Sequence, residues 1–306
     1  MHAVAGLGPV VLVPPSRLWG AWSLDPLVVV GLVAAATLYS RGWATLRGRG
    51  RRAVRGRQVV SYLAGLGLLA VALVSPLDAV ATTLLSAHML QHLVLLVAAP
   101  PLLVYGRPGL AIFLGLPDPL RRRLTSLGAR RRFRRLLAVG LNPVVVLVAT
   151  TAALWGWHLP APYEAAVAHP VVHAAEHMTF LVSALAFWAL VIDASHRRRL
   201  GYGPAILLVF VTMLAGAALG ALITFSPAVL YPVYQAGAPL WGTTALADQQ
   251  LAGAIMWVPP GAVLLLTMVV LALRWFEDVD RRVRAGEGAV AGAPAGPRRP
   301  SLRSEA

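Results

Sequence analysis

Long apolar runs alternate with short arginine-rich breaks along most of the chain. Each run approaches the roughly 20 residues that cross a bilayer as a helix. Seven transmembrane spans are predicted, at 24–40, 59–74, 84–104, 136–157, 171–192, 204–224 and 250–275. The second is short, and begins earlier or tilts little. Residues 1–23 contain an apolar patch, Pro14 and Pro15, but no basic start and no small-residue cleavage site, so an interfacial lead-in is expected in place of a signal peptide. The stretch 277–306, rich after Arg284 in Gly, Ala, Pro and Arg, is expected to be a disordered cytoplasmic tail. Between them, 24–276 forms one domain without internal repeats. The fold class expected is all-α, a polytopic membrane bundle of seven helices. Pro100 with Pro101, and Pro259 with Pro260, should kink spans three and seven. Gly216 and Gly220 give span six a face for close packing.

The polar positions inside these runs are few and grouped. His88 and His92 stand four apart in HMLQH at the start of span three, and His169, His173 and His177 stand four apart in HPVVHAAEH at the start of span five. Four residues turn a helix by about 400°, so each group faces largely one way. Trp157 and His158 end span four, and Pro170 suits the first helical position of span five. Asp248, Gln249 and Gln250 open span seven, with Met256 two turns further in. Asp193 and His196 flank the far end of span five, away from these groups.

Charge orients the bundle. All 27 basic residues are Arg, and 26 of them fall on one side of a seven-span arrangement, in 41–57, 107–135, 197–199 and from Arg274 onward, leaving only Arg17 on the other. This is the positive-inside pattern, with the N-terminus out and the C-terminus in. The formal charge of +15 therefore reports topology and contact with membrane lipid, and no nucleic-acid partner is expected. Spans three, five and seven then enter from the outer face, where the two histidine groups can meet. The absence of Lys excludes a retinal Schiff base, and the absence of Cys excludes thiolate sites and disulfides. Any metal must bind through His, Met or carboxylate.

Ionisable side chains in a bilayer are costly and usually functional. The histidines point to a metal or haem site, against a hydrogen-bonded polar network as the plainer account. Imidazole suits copper, zinc and iron. Met89, Met178 and Met256 offer thioethers for Cu(I), although packing is the ordinary use of methionine. HAAEH fits the zinc-protease pattern H-x-x-E-H, with His173 and His177 as ligands and Glu176 as base; Glu176 serves equally as a partner that orients an imidazole. Asp248 is either a simple helix start or a group facing the same cavity. A haem held by imidazoles of spans three and five is a further alternative, and a copper or proton transporter would need a polar path to the inner face.

HMLQH, WGWHLPAPYEAAVAHPVVHAAEH and LADQQLAGAIMWVPPG, with the seven spans, resemble the multi-spanning CtaG family of cytochrome c oxidase assembly factors, the type associated with oxidases carrying a fused cytochrome c domain. The resemblance runs from about residue 20 to 276. It implies a non-catalytic role in maturing a haem–copper oxidase at the plasma membrane, with oxidase subunits as partners and copper as the suspected cargo. The motif positions it carries over are His88, Gln91, His92, His158, His169, His173, Glu176, His177, Asp248 and Gln249. His88, His92, His169, His173 and His177 are the expected metal ligands. Gln91, His158, Glu176, Asp248, Gln249 and Met256 are expected behind them or at the entrance.

Overall fold

A computed structural model of the chain describes residues 12–48, 53–194 and 200–291, without the side chains of 193–194 and 285–291. Thirteen α-helices account for most of these residues, and no strand occurs among them. Six helical stretches are long and apolar enough to cross a membrane: α1 (Pro26–Gly48), α2 (Gly56–Val74), Leu85–Tyr105, α11 (Pro170–Ala194), α12 (Tyr202–Thr224) and α13 (Ala245–Ala291). Their outer surfaces expose Val60, Val71, Leu207, Leu214 and Leu266. An apolar exterior on apolar helices is what lipid contact requires. The all-α polytopic bundle expected from the sequence is thus the fold, and span two does begin earlier, at Gly56.

The fourth span departs from expectation. A single helix over 136–157 is replaced by α8 (Arg131–Gly140) and α9 (Pro143–Trp157), bent by 61°. Asn142 and Pro143 cause the break: the Asn142 side chain accepts from the Val144 and Val145 amides at 2.9 and 3.4 Å, and proline is favoured at a first helical turn. Seven crossings arise only if this bent pair counts as one. The arginine runs lie on α8 and on α7 (Asp118–Ala129), where Asp118 pairs with Arg121.

Span three is also divided, into α4 (Leu85–Leu93), a π-helical turn at Val94–Ala98, and α5 (Ala99–Tyr105). Pro100 has no N–H to offer the Leu96 carbonyl. The Trp188 indole on α11 takes that carbonyl at 2.9 Å instead, while the Ala99 amide reaches back to Val94. Pro259 and Pro260, by contrast, lie inside α13 without ending it. Residues 277–291, expected in a disordered tail, continue α13 as helix. Pairs four apart, Asp278 with Arg282 and Asp280 with Arg284, each at 2.7 Å, support the extension. Residues 292–306, His196 and the Asp193 side chain lie outside the description, as do residues 1–11 of the lead-in. Val13 of its described part is tied inward, the amide donating to Thr83 Oγ1 at 2.9 Å and the carbonyl accepting from Trp241 Nε1 at 2.9 Å, while Trp19 and Trp22 are exposed.

Short side chains set the tightest helix contacts. A Cβ at Gly42 of α1 would fall 1.7 Å from the Ala111 carbonyl oxygen, and one at Gly115 would fall 1.8 Å from that of Leu38; both neighbours belong to the contact between α1 and α6 (Pro108–Gly115). On α12, Gly220 packs against Trp257 of α13, and Gly253 returns the contact against Thr224. Gly216 instead opens toward a cavity. Three buried apolar clusters fill the bundle, and the one built around Leu85, Met89, Tyr163, Tyr231 and Tyr234 surrounds the histidines.

Candidate metal centre

His88 and His92 project from one face of α4 toward α11, which presents His173, Glu176 and His177. The ring centroids of His88 lie 4.5 Å from His92, 5.1 Å from His173 and 6.1 Å from His177. Glu176, fully buried, reaches both histidines of α4: Oε2 is 3.5 Å from His88 Nε2 and Oε1 is 3.6 Å from His92 Nε2. One ligand atom from each of His88, His92, Glu176 and His177 lies within 4.8 Å of the others.

Seven buried atoms of this group have no hydrogen-bond partner among the described residues: His88 Nε2, both nitrogens of His92, His173 Nε2, both oxygens of Glu176 and His177 Nε2. Leaving one such atom unpaired costs about 1–3 kcal/mol. Together they would cost on the order of 10 kcal/mol, comparable with the whole stability of a typical domain. The His–Glu separations are too long for hydrogen bonds. They match the spacing of ligand atoms around one four-coordinate ion, about 3.3–3.6 Å for bonds of about 2.0–2.2 Å. Three imidazoles and a carboxylate form a set suited to a divalent transition metal.

A second layer fixes the ring of His88. Its Nδ1 lies 3.1 Å from the Tyr234 hydroxyl, which donates to the Ala81 carbonyl at 3.1 Å and stands 3.0 Å from the Tyr163 hydroxyl. With the Tyr234 proton on the Ala81 carbonyl, His88 Nδ1 donates to the Tyr234 oxygen, and its Nε2 lone pair turns toward Glu176. Burial pushes the phenols of Tyr163, Tyr231 and Tyr234 above the ordinary tyrosine range, so all three keep their hydroxyl protons. None of the three was singled out from the sequence. Tyr163 sits on α10 (Pro160–Ala168), and the other two on the loop before α13; their signal was the aromatic, proline-bearing segment YPVY at 231–234.

The remaining candidates are placed as follows. Gln91 turns to another face of α4, where Nε2 donates to the Ala72 carbonyl and to Asp78 Oδ1, each at 2.8 Å. Asp248 reaches the start of α4 and accepts from the Leu85 and Ser86 amides at 2.7 and 3.3 Å and from the Ser86 hydroxyl. Gln249 accepts from the Leu230 amide at 2.6 Å and donates to the Ala228 carbonyl at 3.0 Å, tying down the tyrosine loop. Both residues therefore brace the elements around the His–Glu group without joining it. His158, just beyond α9, donates from Nδ1 to the Leu154 carbonyl at 2.6 Å, and its own carbonyl accepts from Tyr231 at 2.8 Å. Met256 lines a cavity with His92, His158 and Met89. His169 is exposed at the junction of α10 and α11, outside the buried group.

Fold and cluster together define a polytopic, all-α membrane protein with a buried histidine–carboxylate group between two of its spans. Residues 37–278 match the cytochrome c oxidase caa3 assembly factor family (Caa3_CtaG). The chain belongs to this family, as its motifs led one to expect. Uncharacterised proteins of Mycobacterium bovis and Mycobacterium tuberculosis are each 30% identical to it over 285 residues, and one of Mycobacterium leprae is 26% identical over 286. These alignments cover 90% of this chain but 42% of each relative, so the chain spans less than half the length of the curated proteins it matches. No solved structure matches it.

Proposed function

We propose that this protein is a non-catalytic assembly factor of a haem–copper cytochrome c oxidase in the plasma membrane, and that it holds copper transiently between α4 and α11. His88, His92, Glu176 and His177 are the ligands in this proposal, with His173 beside them. The observation that carries it is that one ligand atom from each of these four buried side chains lies within 4.8 Å of the others, in a group that leaves seven buried nitrogen and oxygen atoms without a hydrogen-bond partner among the described residues. An ion there would satisfy one atom of each of the four. Family membership supplies the choice of copper, since a haem–copper oxidase requires that metal. The arginine asymmetry supports an outward-facing site.

Haem fits this packing poorly, because the Glu176 oxygens occupy the space between the imidazoles at 3.5 and 3.6 Å. A single ion needs no such space. The zinc-protease arrangement calls for Glu176 to face a metal-bound water; here it faces His88 and His92. The test is metal analysis of the purified chain together with assembly of the oxidase in cells lacking the gene. Copper should co-purify and fall when His88 and His177 are both changed to Ala, and the deletion strain should lose oxidase-bound copper. Unchanged copper in the double variant, or a normal oxidase in the deletion strain, would overturn the proposal.

A further inference from the structure

A second set of lone pairs meets on the other side of His92. His158 and Met89 are almost fully buried, at 4% and 1% exposure, and His158 Nε2 lies 3.5 Å from Met89 Sδ. The Nδ1 proton of His158 is held by the Leu154 carbonyl at 2.6 Å, so Nε2 of the neutral ring carries only a lone pair. A thioether has lone pairs alone. Two acceptors thus face each other in the interior with no proton between them. An imidazolium would relieve this only by burying a charge that has no carboxylate within hydrogen-bonding distance among the described residues. Beside them stands His92, whose ring is 5.5 Å from that of His158. Its Nε2 faces Glu176, and its Nδ1 is also buried without a partner.

Met89, His92 and His158 line one end of a cavity of about 80 Å³ between the spans, which Met256 also lines. The walls beyond are mainly apolar, with Leu93, Leu264 and Trp188 among them. An apolar chamber of this kind does not solvate a hard ion. A soft monovalent cation accepts imidazole and thioether as ligands and tolerates a low coordination number.

We infer that His158 Nε2 and Met89 Sδ form a separate subsite for a soft monovalent cation such as Cu(I), adjoining the three-histidine, one-carboxylate group through His92. This deepens the metal-handling reading, yet it depends on different atoms. A divalent ion belongs to the Glu176 group, and the thioether subsite selects the monovalent form.

The test uses the full chain in detergent, with Ag(I) as a redox-inert monovalent probe and Co(II) as a divalent one, each quantified after desalting. Wild type should retain both. Met89→Leu and His158→Asn should each reduce Ag(I) retention at least tenfold and keep Co(II), which also reports that the variant is folded. Glu176→Gln should do the reverse. Because the chain has no Cys, sulfur in the Ag(I) coordination shell of the wild type by X-ray absorption must come from methionine, and this readout needs no variant. Ag(I) retained by either subsite variant, or a shell without sulfur, overturns the subsite. Failure of wild type to hold Ag(I) while holding Co(II) overturns it and leaves the Glu176 site standing. Ag(I) binding without Co(II) removes the Glu176 site alone, and binding of neither ion removes both.

Discussion

The Tyr234 hydroxyl lies 3.1 Å from His88 Nδ1, across the ring from the Nε2 that faces Glu176. It reaches α4 from a loop, and with its proton on the Ala81 carbonyl, 3.1 Å away, it holds His88 in the Nδ1–H tautomer. Removing that hydroxyl frees the imidazole to take the other tautomer. Tyr234→Phe should therefore weaken divalent-metal binding by about 10–100-fold without touching a ligand, as measured by competition against a chelator of known affinity. Unchanged affinity would show that the hydroxyl does not orient the ring.

Glu176→Gln exchanges a carboxylate for an amide of nearly the same shape. Divalent-metal retention should fall at least tenfold. In the unloaded protein the thermal midpoint should hold or rise, because the amide N–H₂ can donate to His88 or His92 and satisfy atoms that the carboxylate leaves unpaired. A large drop in the unloaded midpoint would mean that the charge itself stabilises the fold.

Asp248 stabilises the start of α4 from another helix. Asp248→Ala removes the acceptor for two amides and a hydroxyl at a site that is 3% exposed, and should cost about 1–3 kcal/mol. Asp248→Asn keeps one acceptor oxygen and should lose less. Thermal unfolding in detergent reads both, and equal midpoints for the alanine variant and wild type would remove the capping role.

Gly42→Ala should destabilise the bundle by about 1–3 kcal/mol or more, because the new methyl meets backbone at 1.7 Å and α1 must separate from α6. Metal affinity should stay near wild type, since this contact is at the opposite end of the bundle from the histidines. Loss of affinity equal to that of a ligand variant would show that the two ends are coupled.

The native chain is free of cysteine, so single thiols report topology without background. A membrane-impermeant thiol reagent on intact cells should label Glu164→Cys on α10 and leave Ser126→Cys on α7 unlabelled until the cells are opened. The reverse pattern would invert the proposed orientation.

Hydrophobic pattern and histidine spacing were enough to anticipate the helical bundle and the approach of α4 to α11, because both rest on simple helix periodicity. Glu176 could not be ranked that way: position 176 shares a face with 173 and 177, but only the approach of α4 makes its oxygens neighbours of both His88 and His92. His169 shares the four-residue spacing and yet falls outside the group, since the helix begins at Pro170 and the periodicity does not reach back across its start. Asp248 and Gln249 were legible as polar residues at a helix opening, whereas their partners lie 163 and 19 residues away in sequence. The broken fourth span was written in Asn142 and Pro143, a cap and a first-turn proline inside a run whose hydropathy alone reads as continuous.

The π turn at Val94–Ala98 makes span three one residue longer than an α-helix of the same rise would need. Everything before it, including His88 and His92, is thereby rotated by about 100° relative to α5 and its contacts with α2. The histidine-bearing side of α4 and the α2-facing side of α5 are set independently, and this extra residue is the dial between them. Deleting one residue from 94–98 would leave every histidine and Glu176 in the chain, yet turn HMLQH away from α11.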